Sequence, residues 1–245
     1  MTDVMVRVKK HYEAAVNHFG EDNVLGVFLY GSWNYGTALE NSDVDTKCIL
    51  IPDLYHLAVK RYEVKHLHID DEVCECMTIM HMVDNWKKQN INFLEIMFTD
   101  YCMINPMYKE AWEKMLSLEE REAIARFNPE AAILSMGYQA LHTLKQDPND
   151  LKKIMNASRI HRSIAQLIAY PKLGYKAVIY TPQERGIRIG EIEIREDYVE
   201  DLIDYFNEVI SIAPSFRSTE DHRRRVQSFL EDLILGLISF RINKI

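Results

Sequence analysis

The chain has 245 residues, 47% hydrophobic and 27% charged, an ordinary globular balance with room for one large domain or two small ones. Nine glycines and seven prolines exclude collagen-like and linker-rich designs. Lys and Arg number 29 against 37 Asp and Glu, a formal charge of −8 that argues against a non-specific nucleic-acid coat but leaves room for a local basic patch.

The opening stretch, MTDVMVRVKKHYEAAVNHF, lacks an apolar run of signal-peptide length. Val4, Val8, Tyr12, Ala15 and Phe19 recur at spacings of three and four, which predicts a first helix. No run approaches the roughly 20 apolar residues of a membrane span. Cys48, Cys74, Cys76 and Cys102 are too few to staple the chain, and thiols without an export signal are expected to stay reduced. These features predict a soluble cytoplasmic protein with no membrane partner.

Val24 to Tyr30 (VLGVFLY) predicts a buried strand. GSWNYGTALENS then breaks the pattern with Gly, Asn and Ser. Asp43 to Pro52 predicts a second strand, ended by its proline. Leu54 to Lys65 is mixed and reads as helical, Glu72 to Thr78 as a third strand, and Asp84 to Phe98 as a helix. From about Ala111 the texture changes: 111–127, 130–145, 151–169, 196–211 and 219–240 all carry helical spacing. Tyr175 to Ile194 interrupts them with KAVIY, TPQERG and IRIGEIEI. The predicted class is α+β. Residues 1–110 form an α/β part and residues 111–245 a mainly helical part packed against it.

The chemistry concentrates in Leu29 to Asp45. A strand runs into Gly31-Ser32, a turn of about ten residues follows, and Asp43-Val44-Asp45 opens the next strand. Residues two apart on a strand face the same side, roughly 7 Å apart at Cα. Two carboxylates aimed at one spot repel unless a cation lies between them. Hard oxygen ligands on a rigid strand suit Mg²⁺, which takes its remaining ligands from water and substrate phosphates. Gly31 permits close backbone approach, and Ser32 offers a hydroxyl and an N–H to a phosphate oxygen. A lone Asp-x-Asp is commonly a cap or a turn; the flanking Gly-Ser, Gly36 and apolar strands favour the site reading.

This segment resembles the signature of the DNA polymerase β-like nucleotidyltransferase superfamily, Gly-Ser followed by Asp-x-Asp. More narrowly, YGSWNYGTALENSDVDTKCILIP resembles a branch of bacterial and phage nucleotidyltransferases, some of them associated with RNA ligases. KKQNINFLEIMFTDYCMINPMY is similar to a helix of that branch. The likeness spans roughly residues 25–110 and is loose beyond them. It implies a polymerase β-like core, a short mixed sheet with helices. It also implies a third carboxylate on a neighbouring strand. Within Asp70 to Cys76, Glu75 is the acid expected to face the pocket, although the family more often has Asp there. Glu72, three positions away, falls on the opposite face or at the strand's end. The other reading of Glu75 is a half-exposed edge-strand residue.

The resemblance further implies two Mg²⁺ ions, with Mn²⁺ as a substitute, held by Asp43, Asp45 and Glu75. An acceptor hydroxyl would attack the α-phosphorus of a nucleoside triphosphate and release pyrophosphate. The acceptor stays open between an RNA or tRNA end, a protein and a small molecule. A toxin or antitoxin modifying a protein would use the same centre. The alternative is a catalytically inactive nucleotide-binding or regulatory protein of the same fold, against which the intact Gly31, Ser32, Asp43 and Asp45 count.

Other residues have two readings each. Lys47 either neutralises phosphate or covers the strand end. Asn156, Arg159 and Arg162, with Lys153 nearby, form a polar stripe that either faces the triphosphate or is solvated. Arg185 and Arg188 are candidates to reach the acceptor. Arg223 to Arg225 read as a solvated helix start or an RNA contact. Trp33 and Tyr35 either stack on a base or pack the turn. His66, His68, Cys74 and Cys76 invite a zinc reading that the one-residue spacing of the cysteines disfavours.

Overall fold

The computed structural model describes residues 3–36, 38, 42–53, 55, 57, 64–169 and 182–243. Helix α1 (Asp3–Phe19) leads into strand β1 (Val24–Tyr30), the one-turn helix α2 (Ser32–Tyr35) and strand β2 (Asp45–Leu50). Strands β3 (Lys65–Ile69) and β4 (Glu72–Thr78) form a hairpin, followed by α3 (Ile79–Lys87), α4 (Ile91–Leu94) and the short strand β5 (Cys102–Ile104). The remaining α-helices among the described residues are α5 (Pro106–Met115), α6 (Leu118–Ala125), α7 (Pro129–Gln146), α8 (Leu151–Ala169), α9 (Pro182–Arg188), α10 (Tyr198–Ile212) and α11 (Glu220–Ile242).

The five strands form one mixed sheet in the order β3-β4-β2-β1-β5. Only β2 and β4 pair in parallel; the other three pairings are antiparallel. β2 lies at the centre with β4 and β1 beside it, and β1 is covered on both faces, which explains VLGVFLY: such a strand carries a continuous apolar run. The predicted second strand is shorter at both ends, because Asp43, Val44 and Ile51 lie outside the pairing.

Helix α1 covers one face of the sheet. Its buried stripe is Val4, Val8, His11 and Ala15, so a histidine takes a core position where the apolar pattern suggested Tyr12. The other face packs on α3, α5, α6 and α11 around Trp86, Tyr108, Trp112 and Leu230. This core draws on both sides of residue 110, and Arg241 of α11 donates to the Ile51 carbonyl at 3.1 Å. A second core joins α7, α8 and α10 and takes in Tyr35 of α2 and Ile91 of α4. The helical region therefore touches the turn after β1.

Local chemistry sets the helix starts. The side chains of Asn105, Ser117, Asn128 and Thr219 accept backbone N–H bonds at the starts of α5, α6, α7 and α11. Ser117 thereby divides into two helices what the 111–127 pattern presents as one. The helix predicted over Asp84 to Phe98 breaks at Gln89, which has φ 56° and is fully buried. Its amide donates to Trp86 and Ile124 carbonyls at 2.6 and 2.9 Å, so tertiary hydrogen bonds hold the break. The predicted helix from Leu54 lies almost entirely outside the described residues, as does KAVIY. TPQERG instead contributes to α9, and the described part of IRIGEIEI is not strand. No helix among the described residues is long and apolar enough to cross a membrane.

Candidate active site

Gly31 ends β1 with φ 79° and ψ −158°, a conformation essentially confined to glycine. The Asn34 and Tyr35 N–H groups return to the Gly31 carbonyl at 3.0 and 3.2 Å, winding α2, and Gly36 closes the turn in the left-handed region at φ 74°. Tyr30 and Asp45 are register partners across β1 and β2, so the turn and the Asp45 carboxylate meet at one end of the sheet. A β-carbon on Gly31 would stand 2.7 Å from Asp45 Oδ2. Gly31→Ala is expected to cost about 1–3 kcal/mol from backbone strain alone and to displace Asp45, read as a lowered urea midpoint. An Ala variant with wild-type stability would contradict this geometry.

A cleft of about 550 Å³ opens there, lined on the sheet side by Tyr30, Gly31, Ser32, Tyr35, Ser42 and Asp45. Its other wall comes from Gln139 and Thr143 of α7 and from Asp150, Lys152, Lys153, Asn156 and Arg159 at the start of α8, with Asn92 beside them. Asp150 caps α8 by accepting the Lys152 and Lys153 N–H groups at 2.8 and 3.2 Å. Two lysines in a first turn oppose the helix dipole. Both the dipole and the ammonium groups would favour an anion placed outside this helix end.

Asp43 is exposed, and Asp45 is half-buried. Burial raises the Asp45 pKa above the ordinary carboxylate value; the Asp43 charge raises it further, and Lys152, Lys47 and His11 partly offset this. The two acids are in electrostatic conflict, which a divalent cation would relieve. Their all-oxygen donor set suits a hard ion that completes its shell with phosphate and water. Among the described residues no three His, Cys, Asp or Glu groups gather to hold a metal by themselves.

The sequence-predicted residues separate into two groups. Gly31, Ser32, Asp45 and Arg159 share the cleft, with Asp43 next to it. Lys47, Glu75 and Arg162 do not line it. Lys47 and Glu75 are register partners on β2 and β4, on the same face as Asp45, and they form an ion pair with each other. The Lys47 ammonium is buried, 4.1 Å from the Tyr30 ring centre and 4.4 Å from that of Phe93. Burial together with Asp45 and Glu75 pushes the Tyr30 hydroxyl up to about 12. Arg162 pairs with Glu184 of α9 at 2.8 Å.

Arg159 is almost fully buried. It pairs with the fully buried Glu95, which also accepts the Tyr35 hydroxyl, and its guanidinium carbon lies 3.9 Å from the Tyr35 ring centre. The polar stripe on α8 is thus divided among a buried pair, the cleft and α9. Trp33 packs the turn: its indole donates to Ser42 O at 3.1 Å and Arg7 covers its ring. Cys74 and Cys76 face α1 with Cys48, whereas His66 and His68 are exposed on the other side of the hairpin; the alternation of strand faces separates the zinc candidates. Arg223 and Arg224 pair with Glu220, and Arg225 pairs with Glu120. Arg185 is exposed on α9, and the Arg188 side chain lies outside the described part. Lys152, Gln139, Thr143 and Asn92 were not legible as site residues; the cationic first turn after the Asp150 cap was the one available signal.

No family model matches the chain, and no curated protein matches it. Among solved structures it is similar to a nucleotidyltransferase-like protein from Exiguobacterium sibiricum 255-15, at 12% identity and a TM-score of 0.30, covering 95% of this chain and 75% of that one. At that level the likeness provides no residue correspondence.

Proposed function

We propose that the protein is a divalent-cation-dependent nucleotidyltransferase that moves a nucleoside monophosphate from a nucleoside triphosphate to an acceptor hydroxyl. One observation carries the reading: the glycine turn packed against Asp45 forms one wall of a cleft whose other wall presents Lys152, Lys153 and Arg159. In this reading Asp43 and Asp45 hold the cation. Bound Mg²⁺ or Mn²⁺ supplies positive charge to the phosphate oxygens and lowers the pKa of the acceptor hydroxyl. Gly31 lets phosphate approach the backbone, and Ser32 donates to it. Lys152 and Lys153 balance the triphosphate charge from the helix start, while Arg159, held by Glu95, shapes the wall. The protein supplies position and charge, with no covalent step of its own.

A second reading, nucleotide binding without transfer, is favoured by the Lys47–Glu75 pair, which occupies the candidate third carboxylate. The two readings separate when the protein is incubated with each α-labelled triphosphate, Mg²⁺ or Mn²⁺ and total cell extract. Transfer predicts macromolecular label that depends on Asp45, and nuclease or protease digestion then distinguishes an RNA from a protein acceptor. ATP or GTP binding without label from any of the four triphosphates would leave only the second reading.

A further inference from the structure

We propose that Glu72 is the positioning residue of this site: it holds the Asp43-Val44-Asp45 segment from the back of the sheet so that both carboxylates stay on the cleft side. The inference rests on the cation-binding role proposed above for Asp43 and Asp45.

The geometry comes from strand alternation. Asp45 and Lys47 share the cleft face of β2, while Thr46 and Cys48 face α1. Glu72 lies on the α1 side of β4 with Cys74 and Cys76, away from the cleft, so it is not a ligand there. One of its oxygens accepts the Val44 N–H at 3.0 Å, the amide between the two aspartates. The same oxygen pairs with the Arg7 guanidinium, which also donates to Ser42 O at 3.1 Å. The other oxygen is 3.0 Å from His11 Nε2, and His11 Nδ1 is 2.7 Å from Thr46 Oγ1.

If His11 Nε2–H donates to Glu72, its Nδ1 accepts the Thr46 hydroxyl, and both ring nitrogens are satisfied. His11 is fully buried and Val44 is fully buried, so these bonds lie where little water competes. The Ser42 carbonyl, the Val44 N–H and the Thr46 hydroxyl are thus each tied to α1 or to Glu72, while Asp45 lines the cleft. Arg7 and His11 sit at i,i+4 on one face of α1, which is how a single helix reaches both ends of the segment. Two mutually repelling carboxylates would otherwise turn apart. A backbone held rigidly from behind keeps them together, and this is the work outer partners do at metal sites.

The test is Mn²⁺ binding by the full chain, read from loss of the free-ion EPR signal, alongside melting temperature. Asp45→Asn sets the baseline for a lost ligand. Glu72→Ala is expected to weaken Mn²⁺ binding roughly 10-fold or more, the scale of outer-partner losses. Glu72→Gln, which keeps an acceptor for Val44, is expected to recover most of that affinity. Arg7→Leu, at a half-exposed position, is expected to fold and to lose a smaller factor, which keeps the proposal open to refutation should Glu72→Ala not fold. Val209→Ala, in the buried face of α10, serves as a control for general loss of stability.

Wild-type affinity in Glu72→Ala, or in Arg7→Leu should Glu72→Ala not fold, would overturn the positioning role. So would an equal loss in Val209→Ala at matched melting temperature. Failure of the wild-type protein itself to bind Mn²⁺, or binding that survives Asp45→Asn, would instead refute the cation role of Asp45 and remove this inference with it.

Discussion

Asp45→Asn is expected to lower nucleotidyl transfer by at least about 100-fold, while the metal-free protein melts at the same or a higher temperature. The rate loss follows from removing one of the two carboxylates that would hold the cation against the triphosphate. The stability sign follows from linkage. Burial, and then the Asp43 charge, raises the Asp45 pKa in the folded state. In metal-free buffer the unfolded chain therefore ionises first as pH rises, and folded stability declines from the ordinary carboxylate pKa up to the raised one. Above that window the ionised Asp45 is a standing cost, and asparagine removes it. Thermal melts at neutral pH in EDTA should show the variant level with wild type or above it. Added Mg²⁺ should raise the wild-type melting temperature and leave the variant unmoved. A variant that transfers at the wild-type rate would remove Asp45 from the site.

Glu95→Ala is expected to cost about 3–5 kcal/mol in urea unfolding, the largest single stability effect in the cleft region. The Arg159 side chain is 4% exposed and Glu95 is 1% exposed, so truncation leaves a buried guanidinium without its carboxylate and the Tyr35 hydroxyl without an acceptor. Burial raises the Glu95 pKa, with Arg159 and Tyr35 pulling it back. The carboxylate is therefore tolerated only with its partners. Replacing both charges, Glu95→Met with Arg159→Met, is expected to restore most of the stability, because a buried pair exchanged for apolar packing is often neutral. If the protein binds a nucleoside triphosphate as proposed, it should not restore that affinity, since Tyr35 anchors α2 and Arg159 lines the cleft. A double-mutant cycle that finds no coupling between Glu95 and Arg159 would discount the pair.

Much of the frame was legible because it depends on local chemistry. Val24 to Tyr30, Glu72 to Thr78 and the helix from Leu151 to Ala169 stand where hydrophobic spacing put them. Gly31 was readable for close backbone approach and Gly36 as part of the motif, and both take positive φ in the structure. The edge strands were not. Lys65 to Ile69 is polar and half-exposed and Cys102 to Ile104 is three residues long; each becomes a strand only by pairing with β4 or β1. The break at Gln89 was equally hidden, since its side-chain N–H₂ donates to the Ile124 carbonyl, 35 positions along the chain.

The sequence by itself determined that Gly31, Ser32, Asp43 and Asp45 belong to one strand–turn–strand segment. A glycine at positive φ and an alternation of faces are properties of a few consecutive residues. Only the tertiary structure decided the partners of the charges: Glu72 with Arg7 and His11, Glu75 with Lys47, Arg159 with Glu95, and Arg162 with Glu184. Periodicity tells which face of an element a side chain takes. It does not tell which other element, tens of residues away, will be packed against that face, and for a buried charge that neighbour is what decides its role.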